Sequence, residues 1–165
     1  MSGRHPDAPV RRPVSLQRWE QLTFLHWRYA AAVVQRLLPP GPVVQEVDGS
    51  AWVALTPFRM AGVRAALTPA VPGWSTFPEL NVRTYVTGPD GRDGLWFLRL
   101  VAPRRAVVVA LGAVGLPYVR ADAAQWADGD RWRYAFGPPA TGGRAGGGGR
   151  LDAVVDARIG MMRPA

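Results

Sequence analysis

Glu79, Asn81, Arg83 and Tyr85 occupy every second position of the stretch Phe77-Pro78-Glu79-Leu80-Asn81-Val82-Arg83-Thr84-Tyr85-Val86. In an extended chain that spacing puts all four on one face, neighbours about 6.5 Å apart, while Leu80, Val82, Thr84 and Val86 share the other. A guanidinium such as that of Arg83 clamps a carboxylate through two parallel N–H···O bonds. Glu79 orients a carbonyl or hydroxyl, or serves as a base once burial raises its pKa. Asn81 and Tyr85 add an amide and a phenol, and His26, beside Trp27, adds a base or a pocket donor. The candidate ligand-binding residues are therefore Glu79, Arg83, Asn81, Tyr85 and His26. The same pattern also describes a strand with one solvated face, and a lone histidine more often makes a structural hydrogen bond.

Composition removes several chemistries. The 165 residues contain no cysteine, which excludes disulfides and thiolate catalysis. With two histidines as well, metal ligands are too few, so no metal and no cofactor is expected. The net charge of +8 invites a polyanion, but every one of the 20 basic residues is arginine. They are scattered, with Arg11-Arg12 and Arg104-Arg105 the only adjacent pairs, which argues against nucleic acid as the partner. No apolar run reaches the roughly 18 residues that span a bilayer, and the N-terminus carries no hydrophobic leader. The expected setting is cytoplasmic, away from membranes, with a small-molecule ligand and with self-association into a homo-oligomer left open.

The elements that must position these residues read mainly as β. Residues 1–14, with three prolines and three arginines, form a flexible basic arm. A β domain follows over 15–136, and 137–165 is a Gly/Pro/Arg-rich tail expected to be disordered and to add little to the fold. Two hairpin turns stand out, Asp48-Gly49, a type I′ signal, and Gly88-Pro89-Asp90-Gly91. Strands are predicted near 20–27, 43–48, 50–58, 79–88, 94–101 and 131–136. Pro57 should interrupt the ladder or mark an edge. Residues 61–78 read as a loop in which Trp74 and Phe77 close a cavity or cover the core. Helices are predicted near 29–38, stopped by Pro39-Pro40-Gly41, and near 103–116, opened by Pro103 and apolar on nearly every side. Arg104 and Arg105 in its first turn oppose the helix dipole and are expected to be solvated. Leu151, Val154, Val155 and Ile159 fall at the spacing of a short amphipathic helix.

Taken in order, Phe24-Leu25-His26-Trp27, Leu37-Leu38-Pro39, Asp48-Gly49-Ser50-Ala51-Trp52-Val53, Pro57-Phe58-Arg59-Met60, Pro78 through Val86 and Leu116-Pro117-Tyr118 resemble the YqjF-like bacterial family of unknown function over about residues 19–123. That family looks related to acetoacetate decarboxylase. The resemblance implies an α+β, mainly β fold: a closed or partly open antiparallel barrel around a cavity, with a few outer helices. Acetoacetate decarboxylase works through a Schiff-base lysine, and this chain has no lysine at all. Family members also continue with further strands where this chain turns glycine-rich. The function expected on these grounds is a small-molecule-binding domain, its ligand a carboxylic acid, with a decarboxylase-like cavity. The alternatives are an enzyme using Glu79 or His26 in acid–base chemistry and a basic nucleic-acid module.

Overall fold

The computed structural model describes residues 12–129, 131–138 and 153–158. The stretch that carries Glu79, Asn81, Arg83 and Tyr85 is a strand, β6 (Phe77–Thr87), at the centre of an eight-stranded sheet. The strands preceding it are β1 (Ser15–Glu20), β2 (Leu25–Tyr29), β3 (Val43–Val44), β4 (Glu46–Val47) and the 16-residue β5 (Ser50–Ala65). After it come β7 (Asp93–Ala102) and β8 (Tyr118–Arg120). The sheet runs β1-β5-β6-β7-β8, with β2 and β4 also on β5 and β3 on β6. All pairs are antiparallel except β7–β8, which helix α2 (Arg105–Gly112) joins by a parallel crossover. Helix α1 (Ala31–Gln35) is a single short turn closed by the following prolines.

Several elements depart from the sequence expectation. The strand placed at 20–27 is two strands, broken at Gln21, whose φ of +48° is left-handed. The loop expected at 61–78 begins as strand, because β5 runs on to Ala65 beside β1. Pro57, as expected, interrupts a ladder: it lies inside β5, opposite Leu80, and on the other side of β5 pairing with β2 stops at Leu55 and pairing with β1 resumes at Arg59. Its missing N–H falls between the reach of β2 and that of β1, where only its carbonyl is used, by the Thr23 amide at 3.1 Å. Asp48 and Gly49 hold φ of +53° and +69°, the positive pair a type I′ turn requires. Phe77 is core, Trp74 is exposed, and Arg104, instead of being fully solvated, donates to the Gly73 carbonyl at 2.5 Å.

A second, three-stranded sheet contains β9 (Asp122–Asp128), β10 (Arg131–Gly137) and β11 (Ala153–Arg158), with β10 in the middle. The helix expected around Leu151–Ile159 is therefore corrected to a strand over 153–158, and that part of the tail joins the fold. The expected disorder of the rest of the tail, and the flexibility of the arm before residue 12, lie outside the described residues. The closed barrel is corrected as well: among the described residues neither sheet closes on itself. β1 and β2 share one edge of β5 end to end, and the opposite side stops at the three-residue β8. The second sheet packs instead on the Leu80 face of the first, through Tyr134, Phe136, Ala121, Leu80 and Val101. On the Glu79 face, Phe58, Met60, Phe77 and Ala102 form another cluster beneath Val107 and Val108 of α2. No helix of the described residues is long and apolar enough to cross a membrane.

Candidate functional site

Because both faces of β6 are covered, its polar row is not a solvated face. Glu79, Asn81 and Arg83 are 2%, 1% and 6% exposed, and Tyr85 is half-buried. Register fixes their neighbours. Glu79 is opposite Phe58, Asn81 lies between Thr56 and Leu100, and Arg83 lies between Ala54 and Phe97. His26 on β2 also pairs with Ala54, so His26 and Arg83 flank one alanine on the same face. All five residues singled out in the sequence thus belong to one side of β2–β5–β6.

The row divides into two ends. At one end, Glu79 sits in the apolar cluster around Phe58, over which Trp19 stacks with ring centroids 4.6 Å apart. Burial pushes its carboxyl up to about 7, against the single opposing contribution of the Tyr118 hydroxyl, which donates to Oε1 at 3.1 Å. Burial and then the Glu79 charge raise the Tyr118 phenol in turn. Tyr118 escaped the sequence reading as a site residue, because it lies 39 residues from Glu79 and only the β7-α2-β8 crossover brings it across. Its place in Leu116-Pro117-Tyr118 was the one available signal.

At the other end His26 Nε2 and the Tyr85 hydroxyl are 2.7 Å apart. Together with Gln45, Val47 and Trp52 they line an open pocket of about 260 Å³. Phe24, just before β2, lies against Arg83, whose guanidinium carbon is 5.2 Å from the ring centroid. Glu79 and Arg83 form no ion pair with each other, as their four-residue separation along the strand dictates. Between the two ends run buried polar atoms with no hydrogen-bond partner among the described residues: Thr56 Oγ1, Glu79 Oε2, Asn81 Oδ1 and Arg83 Nε. Arg104 Nε, away from this row, is the remaining one. No group of three His, Asp or Glu residues among the described residues is arranged to hold a metal ion.

Comparison with known proteins agrees with this architecture. The DUF2071 family, described as an uncharacterized conserved protein, matches residues 16–157. The uncharacterized protein YqjF of Bacillus subtilis is 37% identical over 119 residues, 72% of this chain and 49% of that one. The chain thus spans about half the length of the curated relative it matches. Among solved structures, acetoacetate decarboxylase from Legionella pneumophila superposes with a TM-score of 0.58 at 16% identity, covering 81% of this chain and 50% of that one. An acetoacetate decarboxylase-like enzyme from Sphingomonas wittichii gives 0.61 at 12% identity, covering 89% and 73%. The enduracididine biosynthesis enzyme MppR in complex with pyruvate gives 0.61 at 15%, covering 96% and 63%. At these identities the structural likeness establishes the fold alone, a mainly β, acetoacetate-decarboxylase-like one.

Proposed function

The chain belongs to the DUF2071 family, and we propose that its role there is to bind a small carboxylic acid on the polar face of β5 and β6. One observation carries this reading: four buried polar atoms without partners among the described residues, Thr56 Oγ1, Glu79 Oε2, Asn81 Oδ1 and Arg83 Nε, stand on adjoining positions of a single face. Each such atom costs about 1–3 kcal/mol if nothing satisfies it. A compact ligand with both donors and acceptors relieves several of them at once. Arg83 is the natural partner of a carboxylate, and Asn81 and Thr56 suit a neighbouring carbonyl or hydroxyl. The acids named for the structural neighbours, acetoacetate and pyruvate, are of this size. These 165 residues supply no lysine, so the side chains offer no amine for an imine and the proposed contact is non-covalent.

A panel of small keto and hydroxy acids tests this by thermal shift. At a hundredfold excess over Kd, a bound acid stabilises the fold by about 2.7 kcal/mol, several degrees of melting temperature. Arg83→Ala should abolish the shift. No shift across the panel, or an equal shift in Arg83→Ala, would leave the polar row without a ligand.

A second reading, acid–base catalysis on that acid, draws on Glu79. A carboxyl lifted to about 7 is divided between its acid and base forms at neutral pH, the condition general catalysis favours. Glu79 carries this reading better than His26, which stands at the far end of the row. Turnover of an acid by the wild-type chain, lost in Glu79→Gln while binding persists, separates an enzyme from a binding module.

A further inference from the structure

The pocket beside Arg83 has a shape of its own. The 2.7 Å contact joins the His26 and Tyr85 rings by their rims. Their planes are only 16° apart and their centroids are 5.9 Å apart, so the two rings are near-parallel neighbours. Trp52 crosses His26 at 71°, which sets a steeply inclined wall beside that pair. Each wall is pinned. The Trp52 indole N–H donates to the Val47 carbonyl at 3.3 Å. The Gln45 amide nitrogen donates to Asp93 Oδ1 at 2.5 Å and to Thr87 Oγ1 at 3.3 Å. Val47 completes the lining with an apolar surface. A near-parallel pair of rings beside a steeply inclined one accepts a planar ring in both favoured aromatic geometries, stacked on one wall and edge-on to the other. Among the described residues no carboxylate and no guanidinium lines the pocket itself, the Arg28 guanidinium lying 5.6 Å from the Trp52 ring centroid, so an ionic group of the ligand sits outside the lining.

We infer that this pocket holds the aromatic ring of the ligand, and that the acid bound by the domain is an aryl-bearing one. The inference rests on Arg83 as the carboxylate partner. His26 shares Ala54 with Arg83, and Tyr85 follows Arg83 by two residues on the same face, about 6–7 Å along β6. An arylacetic or aryl-2-oxo acid bridges that distance, its carboxylate at Arg83 and its ring against Tyr85, His26 and Trp52. An alkyl acid of the same charge leaves the pocket unfilled.

Titration calorimetry on the full chain tests this with phenylacetate and phenylpyruvate against propionate and 2-oxobutyrate, and with the neutral ring benzamide. Aryl acids should bind about tenfold or more tightly than their alkyl counterparts, the return expected from one stacked ring. Val47→Trp, at an exposed site, fills the pocket without entering the core, and should bring aryl acids down to the alkyl level. Trp52→Leu should lower the preference independently. If aryl and alkyl acids bind alike, or the preference survives both substitutions, the ring pocket is refuted and the carboxylate site stands. If no acid binds but benzamide does, and Val47→Trp removes it, the pocket stands and Arg83 is refuted as the anchor. If nothing binds, both are refuted.

Discussion

Replacing Glu79 with glutamine should change how stability depends on pH, and the size of the change follows from where the carboxyl sits. In the folded chain, burial holds the proton on Glu79 up to about pH 7, whereas the ordinary glutamate value is 4.5. Between those two values the folded state binds the proton and the unfolded state does not, so unfolding releases it. Stability therefore falls as pH rises from 4.5 to 7 and is flat on either side of that window. At about 1.4 kcal/mol per pH unit the fall is about 3 kcal/mol, or roughly 6–12 °C of melting temperature. Glutamine keeps the shape and cannot ionise. The assay is urea unfolding of both proteins at pH 4.5, 6 and 8, read as the difference between them, which cancels every other titrating group. The difference should move by about 3 kcal/mol in favour of Glu79→Gln between pH 4.5 and 8. A difference constant to within about 0.5 kcal/mol would mean that Glu79 ionises in the folded chain as it does in water, and the buried acid would be refuted.

Two further outcomes follow from the same contacts. Tyr118→Phe removes the hydroxyl that steadies the ionised Glu79. It should move the Glu79 midpoint, read by carboxyl NMR, above about 7, and should cost about 1.5–3 kcal/mol at pH 8 but less at pH 5. Truncation after residue 138 strips β11 from six backbone positions of β10, leaving that strand as an unpaired edge. The melting temperature should drop by more than about 2 °C, and an unchanged value would mean that β11 adds nothing to the sheet.

Period-two alternation made β6 and its polar row legible in the sequence, and the turn residues Asp48-Gly49 marked their hairpin. Alternation says which residues share a face, however, and nothing about what lies over it. That Glu79 is buried depends on α2, Trp19 and Tyr118, all distant along the chain, and that Leu80 is buried depends on Tyr134 and Phe136 of another sheet. The short strands were lost for local reasons. In β9, Asp122-Ala123-Ala124-Gln125-Trp126 has little β propensity and holds its place by pairing with β10. β11 follows a glycine run that masks it, and its valines fit a helical spacing equally well. The break between β1 and β2 turns on the left-handed Gln21, a residue type that gives no warning of it. Its carbonyl accepts a hydrogen bond from Tyr134, so a contact from the second sheet accompanies the turn.

The arginine side-chain N–H groups offer the most direct test of the carboxylate site. Arg83 Nε is buried and has no partner among the described residues, so its proton should respond when a carboxylate arrives. With arginine labelled at Nε, titrating a small carboxylic acid should move one resonance saturably and downfield, and Arg83→Lys should delete that resonance. If the acid moves several arginine signals weakly and without saturation, or moves a resonance that survives Arg83→Lys, then Arg83 does not hold the carboxylate and the proposed site is wrong.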